Sequence, residues 1–303
     1  MNNIISSKVK FVRNLKGVPF NTNTNSKALN EVLKLSIDAC NQCGLKAEVL
    51  SKINEDVVEG LIDANMLEPD FVDDIKFKGC ATNDSTTVQI NGSNHIEIFS
   101  SDSDILNAYN NAKSVDKMLC NKLNFLYSDK YGFLNPDLDK IGCGMQTETL
   151  VILPALHQTN SVKKLPQYCD KLGFKIYSLN DQNLVYLIRS NTSLGYNEKQ
   201  ICELTSQYVN NVIKCEIEMC KNLANDTLEI MDKSVRAKAI INSCLKITSN
   251  ELFKLIGDIL IAINSGLEDT VTIENINNLI NAIKNKKLNN QENLAKIIKN
   301  KIN

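Results

Sequence analysis

Cys40-Asn-Gln-Cys43 carries the two-residue spacing with which paired thiolates ligate zinc or exchange a disulfide. No second pair accompanies it, and only His95 and His157 could complete a metal set. The remaining cysteines are scattered, mostly through apolar periodic runs, where a reduced thiol packs as a small hydrophobe. No metal site is expected. A second candidate is Gln89 to Ile98, "QINGSNHIEI", which sets His95 beyond an Asn-Gly turn between two alternating runs. It reads equally as a catalytic loop or as a plain hairpin. Cations are the third resource: the chain has 31 Lys, 41 Asn and only three Arg, namely Arg13, Arg189 and Arg236. Chemistry that grips phosphate with planar, two-pronged donors has few groups to draw on.

The elements that must position these residues belong to an ordinary globular chain of 303 residues, 43% hydrophobic and 23% charged. The net charge of -1 gives no footprint for nucleic acid or an anionic membrane. No apolar window approaches the ~18 residues of a spanning helix, and the start lacks the apolar core of a signal peptide, so a cytoplasmic protein is expected.

After a short basic start, helical spacing runs from Ser26 to Cys40 behind a Ser26 cap, and again through Asn54 to Leu67, stopping before Pro69. From Ile75 the period changes to two. Val88, Ile90, Ile96 and Ile98 share one face of a hairpin turning at Asn91-Gly92. A helix is predicted from Ser103 to about Leu126, then a loop from Tyr131 to Met145, and a buried strand ended by Pro154. A second hairpin follows over Phe174 to Ser190, and a long helix over Asn197 to Leu223. Past Asn225 strand signals fade: Ser249 caps one helix that stops at Gly266, and Thr272 caps another. The fold class is therefore α+β, with a helix-flanked sheet domain over 1–224 and a small all-helical domain over 225–303.

Five segments, "SSKVKFVRNLKGVPF", "INGSNH", "YSDKYGFL", "GCGMQTETLVILPAL" and "NTSLGYNEKQI", resemble the ATP:guanidino phosphotransferases in order and spacing. Within that family the chain is most similar to the bacterial protein arginine kinases, having almost no N-terminal helical domain and a helical C-terminal extension. The resemblance implies an antiparallel sheet flanked by helices and in-line transfer of the ATP γ-phosphoryl to a guanidinium. Such catalysis rests on positioning and charge: Arg and Mg2+ hold the triphosphate, and carboxylates orient the acceptor.

Carried over position by position, that machinery is depleted. The phosphate-gripping arginines of the N-terminal motif fall on Lys8 and Lys10, cationic but unable to fork onto two oxygens. The family's nucleotide-contacting His falls on Asn65. In the hairpin, the catalytic Glu falls on Ser93 and a phosphate-facing Arg on Glu97, which repels phosphate. The Gly-Thr-Gly-Leu-Arg loop becomes Gly142-Cys-Gly-Met-Gln146, with Glu148 two residues on. Arg13 alone matches a motif arginine, just outside the phosphate-binding pair. In the extension, Asn290 to Ala295 aligns with a phosphoarginine-receptor motif and lacks both its arginines.

The resemblance thus implies a degenerate homologue with no intact catalytic residue: a pseudokinase acting as a binding or regulatory subunit in protein quality control. Its implied partners are an active protein arginine kinase, that kinase's activator or Clp-type protease components, in a dimeric assembly. The alternative is an active, divergent phosphotransferase using Mg-ATP, Lys8, Lys10 and a relocated carboxylate such as Glu97, Asp137 or Glu148.

Overall fold

The computed structural model of the chain describes residues 3–21, 25–63, 67–72, 75–165, 173–179, 184–191, 193–268, 270–284, 291–299 and 301. What patterning reads as a short basic start is a ten-residue strand, β1 (Ile4–Arg13). Both of its faces are covered: Val9 and Phe11 are fully buried on one, Lys8 and Lys10 only 5% and 8% exposed on the other. The alternation Lys8-Val9-Lys10-Phe11 carries the strand period of two, a signal that sequence reading passed over.

Nine further strands follow among the described residues: β2 (Lys46–Val49), β3 (Gly79–Thr82), β4 (Thr86–Ile90), β5 (Ile96–Asp102), β6 (Tyr127–Ser128), β7 (Gly132–Phe133), β8 (Met145–Ile152), β9 (Phe174–Ser178) and β10 (Val185–Ser190). Eight make one sheet in the order β2-β3-β4-β5-β1-β8-β10-β9, and β6 with β7 forms a separate ribbon. The antiparallel registers of β1 with β5 and of β4 with β5 fix the faces. Val88 lies opposite Ile98 and Ile90 opposite Ile96, all four fully buried, as the period of two requires. The connection is longer than a two-residue turn: it spans residues 91–95, with Asn91 left-handed at φ 62 and its N–H donated to the His95 carbonyl.

The helices are α1 (Ser26–Gln42), α2 (Glu55–Asp63), α3 (Ile105–Cys120), α4 (Pro154–Gln158), α5 (Glu198–Leu223), α6 (Thr227–Ser243), α7 (Ser249–Asn264), α8 (Ile273–Lys284) and α9 (Gln291–Ile298). Two caps sit one residue before the expected ones. The Asn25 side chain accepts from the Ala28 N–H, and Thr248, rather than Ser249, accepts from Glu251. Helix α3 ends at Cys120 instead of near Leu126, because the chain beyond it is pulled into pairing with the end of β1. There the Lys16 N–H donates to the Asn124 carbonyl and the Leu126 N–H to that of Asn14.

Two compact units emerge. One comprises Ser6–Glu148 with Arg189–Ser206, and its core joins Val9, Phe11, Val88 and Ile98 to Ala112, Val115 and Leu119 of α3. The other comprises Met1–Ile5, Thr149–Ile188 and Gln207–Asn303. Elements after residue 225 are helical throughout the described residues, but their apolar faces share a core with Ile152 and Val185. The units therefore cross the 224/225 boundary read from the sequence. No helix among the described residues is long and apolar enough to cross a membrane.

Candidate functional site

Strand alternation turns Lys8 and Lys10 to the face of β1 opposite Phe11, and the register sets Glu97 and Phe99 of β5 on that same face. Lys10 Nζ lies 2.7 Å from a Glu68 carboxylate oxygen and 3.4 Å from Glu97 Oε2. Lys8 Nζ lies 4.0 Å from Glu68 and 4.6 Å above the Phe99 ring. On β8, Gln146 and Glu148 alternate away from the buried Met145 and Thr147; Arg189 grips Glu148 Oε1 through Nε at 2.8 Å and Nη2 at 2.6 Å. Three acids and three cations thus meet on one sheet face. Glu68 reaches it from the turn after α2, whose Leu67 and Phe71 are themselves buried.

Burial works against the charges of Lys8, Lys10, Glu97 and Glu148, and their partners decide the outcome. It pushes the Lys8 ammonium below its usual range even though Glu148 and Glu68 face it. For Lys10 the two nearby carboxylates, Glu97 foremost, outweigh burial and raise the pKa. Glu97 is 1% exposed, yet Lys10, Asn94 and Ser93 overcome burial and bring its pKa to about 2. Glu148 is likewise held below the ordinary carboxylate value by Lys8 and Arg189, against burial.

The residue at the expected base position serves its neighbour. The Ser93 hydroxyl donates to Glu97 Oε1 at 2.8 Å, and the Asn94 amide donates to the same oxygen at 2.7 Å. Asn94 Oδ1 in turn accepts from Asn135 at 2.6 Å and from Asn14 at 3.4 Å. Both Glu97 oxygens are therefore engaged. Gln89, in register opposite Glu97 and fully buried, has no hydrogen-bond partner for its amide among the described residues.

Two residues with chemical potential turn out to hold the fold. His95 Nδ1 accepts the Leu15 N–H at 2.9 Å, which leaves Nε2 as the donor to the Pro19 carbonyl at 2.9 Å. Burial lowers its pKa, so the imidazole is a neutral tie between β1's exit and the hairpin. Arg13 is fully buried and forks onto Asp116 of α3 at 2.8 and 3.0 Å, its guanidinium 3.7 Å from the Phe133 ring centroid. Its Nη1 also donates to the carbonyls of Val12, Cys143 and Gly144. A Cβ on Gly144 would stand 2.6 Å from that nitrogen, in a backbone conformation at φ +62. Packing against Arg13 and the left-handed backbone both call for glycine at this position.

Asn65 lies outside the described residues, as do residues 180–183 between β9 and β10 and Asn290 of the extension motif. Asp137 is half-exposed, paired with Lys140 at 3.4 Å, and caps its own turn through the Asp139 N–H. The Cys40 and Cys80 thiols are pushed up to about 12 by burial, which suits packing rather than reaction. Sequence reading missed Glu68, although it stands three residues after Asn65 in the segment already singled out. It missed the Asn14, Asn94 and Asn135 network as well.

The family model for the C-terminal catalytic domain of ATP:guanido phosphotransferases matches residues 28–219. A protein-arginine kinase of Halothermothrix orenii is 24% identical over 280 residues, covering 87% of this chain and 79% of its own length. One from Clostridium perfringens strain 13 is 21% identical over 324 residues, covering 99% and 96%. Among solved structures, the duplicated taurocyamine kinase from Schistosoma mansoni with bound transition state analog components superposes with a TM-score of 0.64 at 19% identity. That match covers 70% of this chain and 33% of the taurocyamine kinase chain. A lombricine kinase gives a TM-score of 0.58 at 17% identity, covering 71% and 66%.

Proposed function

The chain belongs to the ATP:guanido phosphotransferase family, and from that membership we propose that it is a protein-arginine-kinase-like protein that has lost phosphoryl transfer and works by binding. The observation that carries this reading is the internal pairing of the charged face. Lys8 and Lys10, at the positions of phosphate-gripping arginines, are held by Glu68, Glu97 and Glu148 of the same chain. No carboxylate is left at the base position, where Ser93 donates to Glu97.

Mg-ATP does not fit such a face. A phosphate oxygen at about 4 Å from Glu97 would meet a pairwise repulsion of roughly 4 kcal/mol at an effective dielectric of about 20, and the lysines that could offset it are already engaged by the protein's own carboxylates. Preorganised positive groups are what this class of transfer depends on, and each is typically worth ~3 kcal/mol in the transition state. The competing reading, a divergent enzyme with Glu97 as relocated base, is opposed by that carboxylate's full set of donors. The role left to such a chain is that of a regulatory subunit in protein quality control. Its partners would be an active protein-arginine kinase, that kinase's activator or a Clp-type protease component, and the assembly is proposed to be dimeric.

The test is thermal unfolding with Mg-ATP, alongside mass spectrometry of a protein substrate incubated with both. A ligand at 100 times its Kd adds about 2.7 kcal/mol of stability. No saturable shift and no phosphoarginine are expected; a saturable shift together with phosphoarginine on the substrate would overturn the reading. Capture of kinase or protease-component partners from native cytosol tests the binding role.

A further inference from the structure

A cavity of about 700 Å³ opens in the unit built from Ser6–Glu148 and Arg189–Ser206, within the size range of small-molecule sites. Four of the chain's eight tyrosines converge on it: Tyr109 from α3, Tyr127 and Tyr131 from the β6–β7 ribbon, and Tyr196 from the loop before α5. Three of these rings stay open to solvent, at 56%, 48% and 43% exposure for Tyr127, Tyr131 and Tyr196. Folding places the rings without burying them.

The walls are held firmly. Tyr127 meets Phe133 edge-on at 5.2 Å, and Phe133 and Gly142 exchange backbone hydrogen bonds at 2.8 and 3.2 Å. The Ser193 hydroxyl donates to the Ile141 carbonyl at 2.7 Å. A Cβ on Gly142 would stand 2.5 Å from the Ser193 carbonyl oxygen, so the floor is backbone laid on backbone.

Charge decides the ligand's sign. The single carboxylate of the lining, Glu198, already accepts from Lys113 at 2.6 Å and from the Tyr109 hydroxyl at 3.1 Å. Lys130 and Lys199, also in the lining, form no ion pair among the described residues. The positive end of the 26-residue α5 opens at the same place. We propose that this cavity is a binding site for a planar aromatic anion, its ring taken up by the tyrosines and its charge by Lys130 and Lys199. Stacking on tyrosine faces accepts any flat π-system, and the lysines favour an anionic one over a neutral one and repel a cationic one.

Since the chain lacks tryptophan and half of its tyrosines line the cavity, a ligand there should change tyrosine emission, and ligand-observed NMR gives an independent reading. The full chain is titrated with phenyl phosphate and with AMP, which separate a bare aryl anion from a nucleotide, and with adenosine and inorganic phosphate as controls. Expected is saturable binding of at least one aromatic anion, weakened about tenfold or more by Tyr196→Ala and by Lys199→Ala. Lys34→Ala, exposed on α1 and outside the cavity lining, should leave it unchanged. The proposal is overturned by absence of saturable binding up to millimolar concentration, by binding that survives both pocket substitutions, or by adenosine or inorganic phosphate binding equally well.

Discussion

Lys10 and Glu68, 58 positions apart in the chain, lie 2.7 Å from each other, so an acid of the protein stands against the cation that would meet a phosphate. Glu68 is about a third exposed, and removing its charge is expected to cost only about 1 kcal/mol. Glu68→Gln should nevertheless leave the face one positive charge richer. Thermal shift with inorganic pyrophosphate should then show saturable stabilisation in the variant and none in the parent. Equal behaviour of the two proteins would remove Glu68 from the account.

Arg13 and Asp116 form a doubly hydrogen-bonded pair with neither side chain exposed by more than 1%. Removing one partner strands a buried charge, so Arg13→Ala or Asp116→Ala should cost about 3 to 5 kcal/mol in urea unfolding. Arg13→Lys should recover only part of this, since an ammonium cannot make the forked contact or stack on Phe133.

Ser93 offers a test of the former base position. Ser93→Ala deletes a donor to a buried carboxylate and should cost about 1.5 to 3 kcal/mol. Ser93→Glu restores the residue type expected of the family but sets a second carboxylate against Glu97. Relative to the parent, that variant should lose more stability at pH 8 than at pH 5, because one of the two acids must stay protonated. Phosphoarginine formation is not expected from it.

Acid should lower the protein's stability in two pH windows. The His95 pKa is lowered in the folded state, so its contribution is present above the unfolded value of about 6.5 and declines as pH falls through the folded one. Glu97, with a folded pKa of about 2, contributes above the unfolded value of about 4.3 and loses that contribution toward pH 2. Urea titrations from pH 8 to pH 3 should show stability falling in both windows. His95→Gln should flatten the first, and Glu97→Gln the second; a pH profile unchanged by either substitution would refute the assignment.

How far the sequence reveals this arrangement depends on what reports each part. Val88, Ile90, Ile96 and Ile98 are legible because one face of their hairpin is uniformly apolar. The family motifs locate Lys8, Lys10, Ser93 and Glu97 as neighbours, and the register of β1 with β5 puts the two lysines and Glu97 on one face. What remains hidden is pairing at a distance. Glu68 in a turn and Arg189 on another strand look like ordinary surface charges until the sheet and the turn bring them together. Arg13 is hidden for a related reason: its partner sits on a helix 103 residues away.

The charged sheet face also has a kinetic side. Lys8, Lys10 and Arg189 balance Glu68, Glu97 and Glu148 within a few ångströms, so their fields cancel over a distance comparable with the ~8 Å screening length of physiological salt. A polyanion diffusing past such a face is neither drawn in nor turned away, and its encounter rate falls to the unsteered ~10⁵ to 10⁶ M⁻¹s⁻¹ expected of neutral surfaces. To the solution, six formal charges on this face read as almost none.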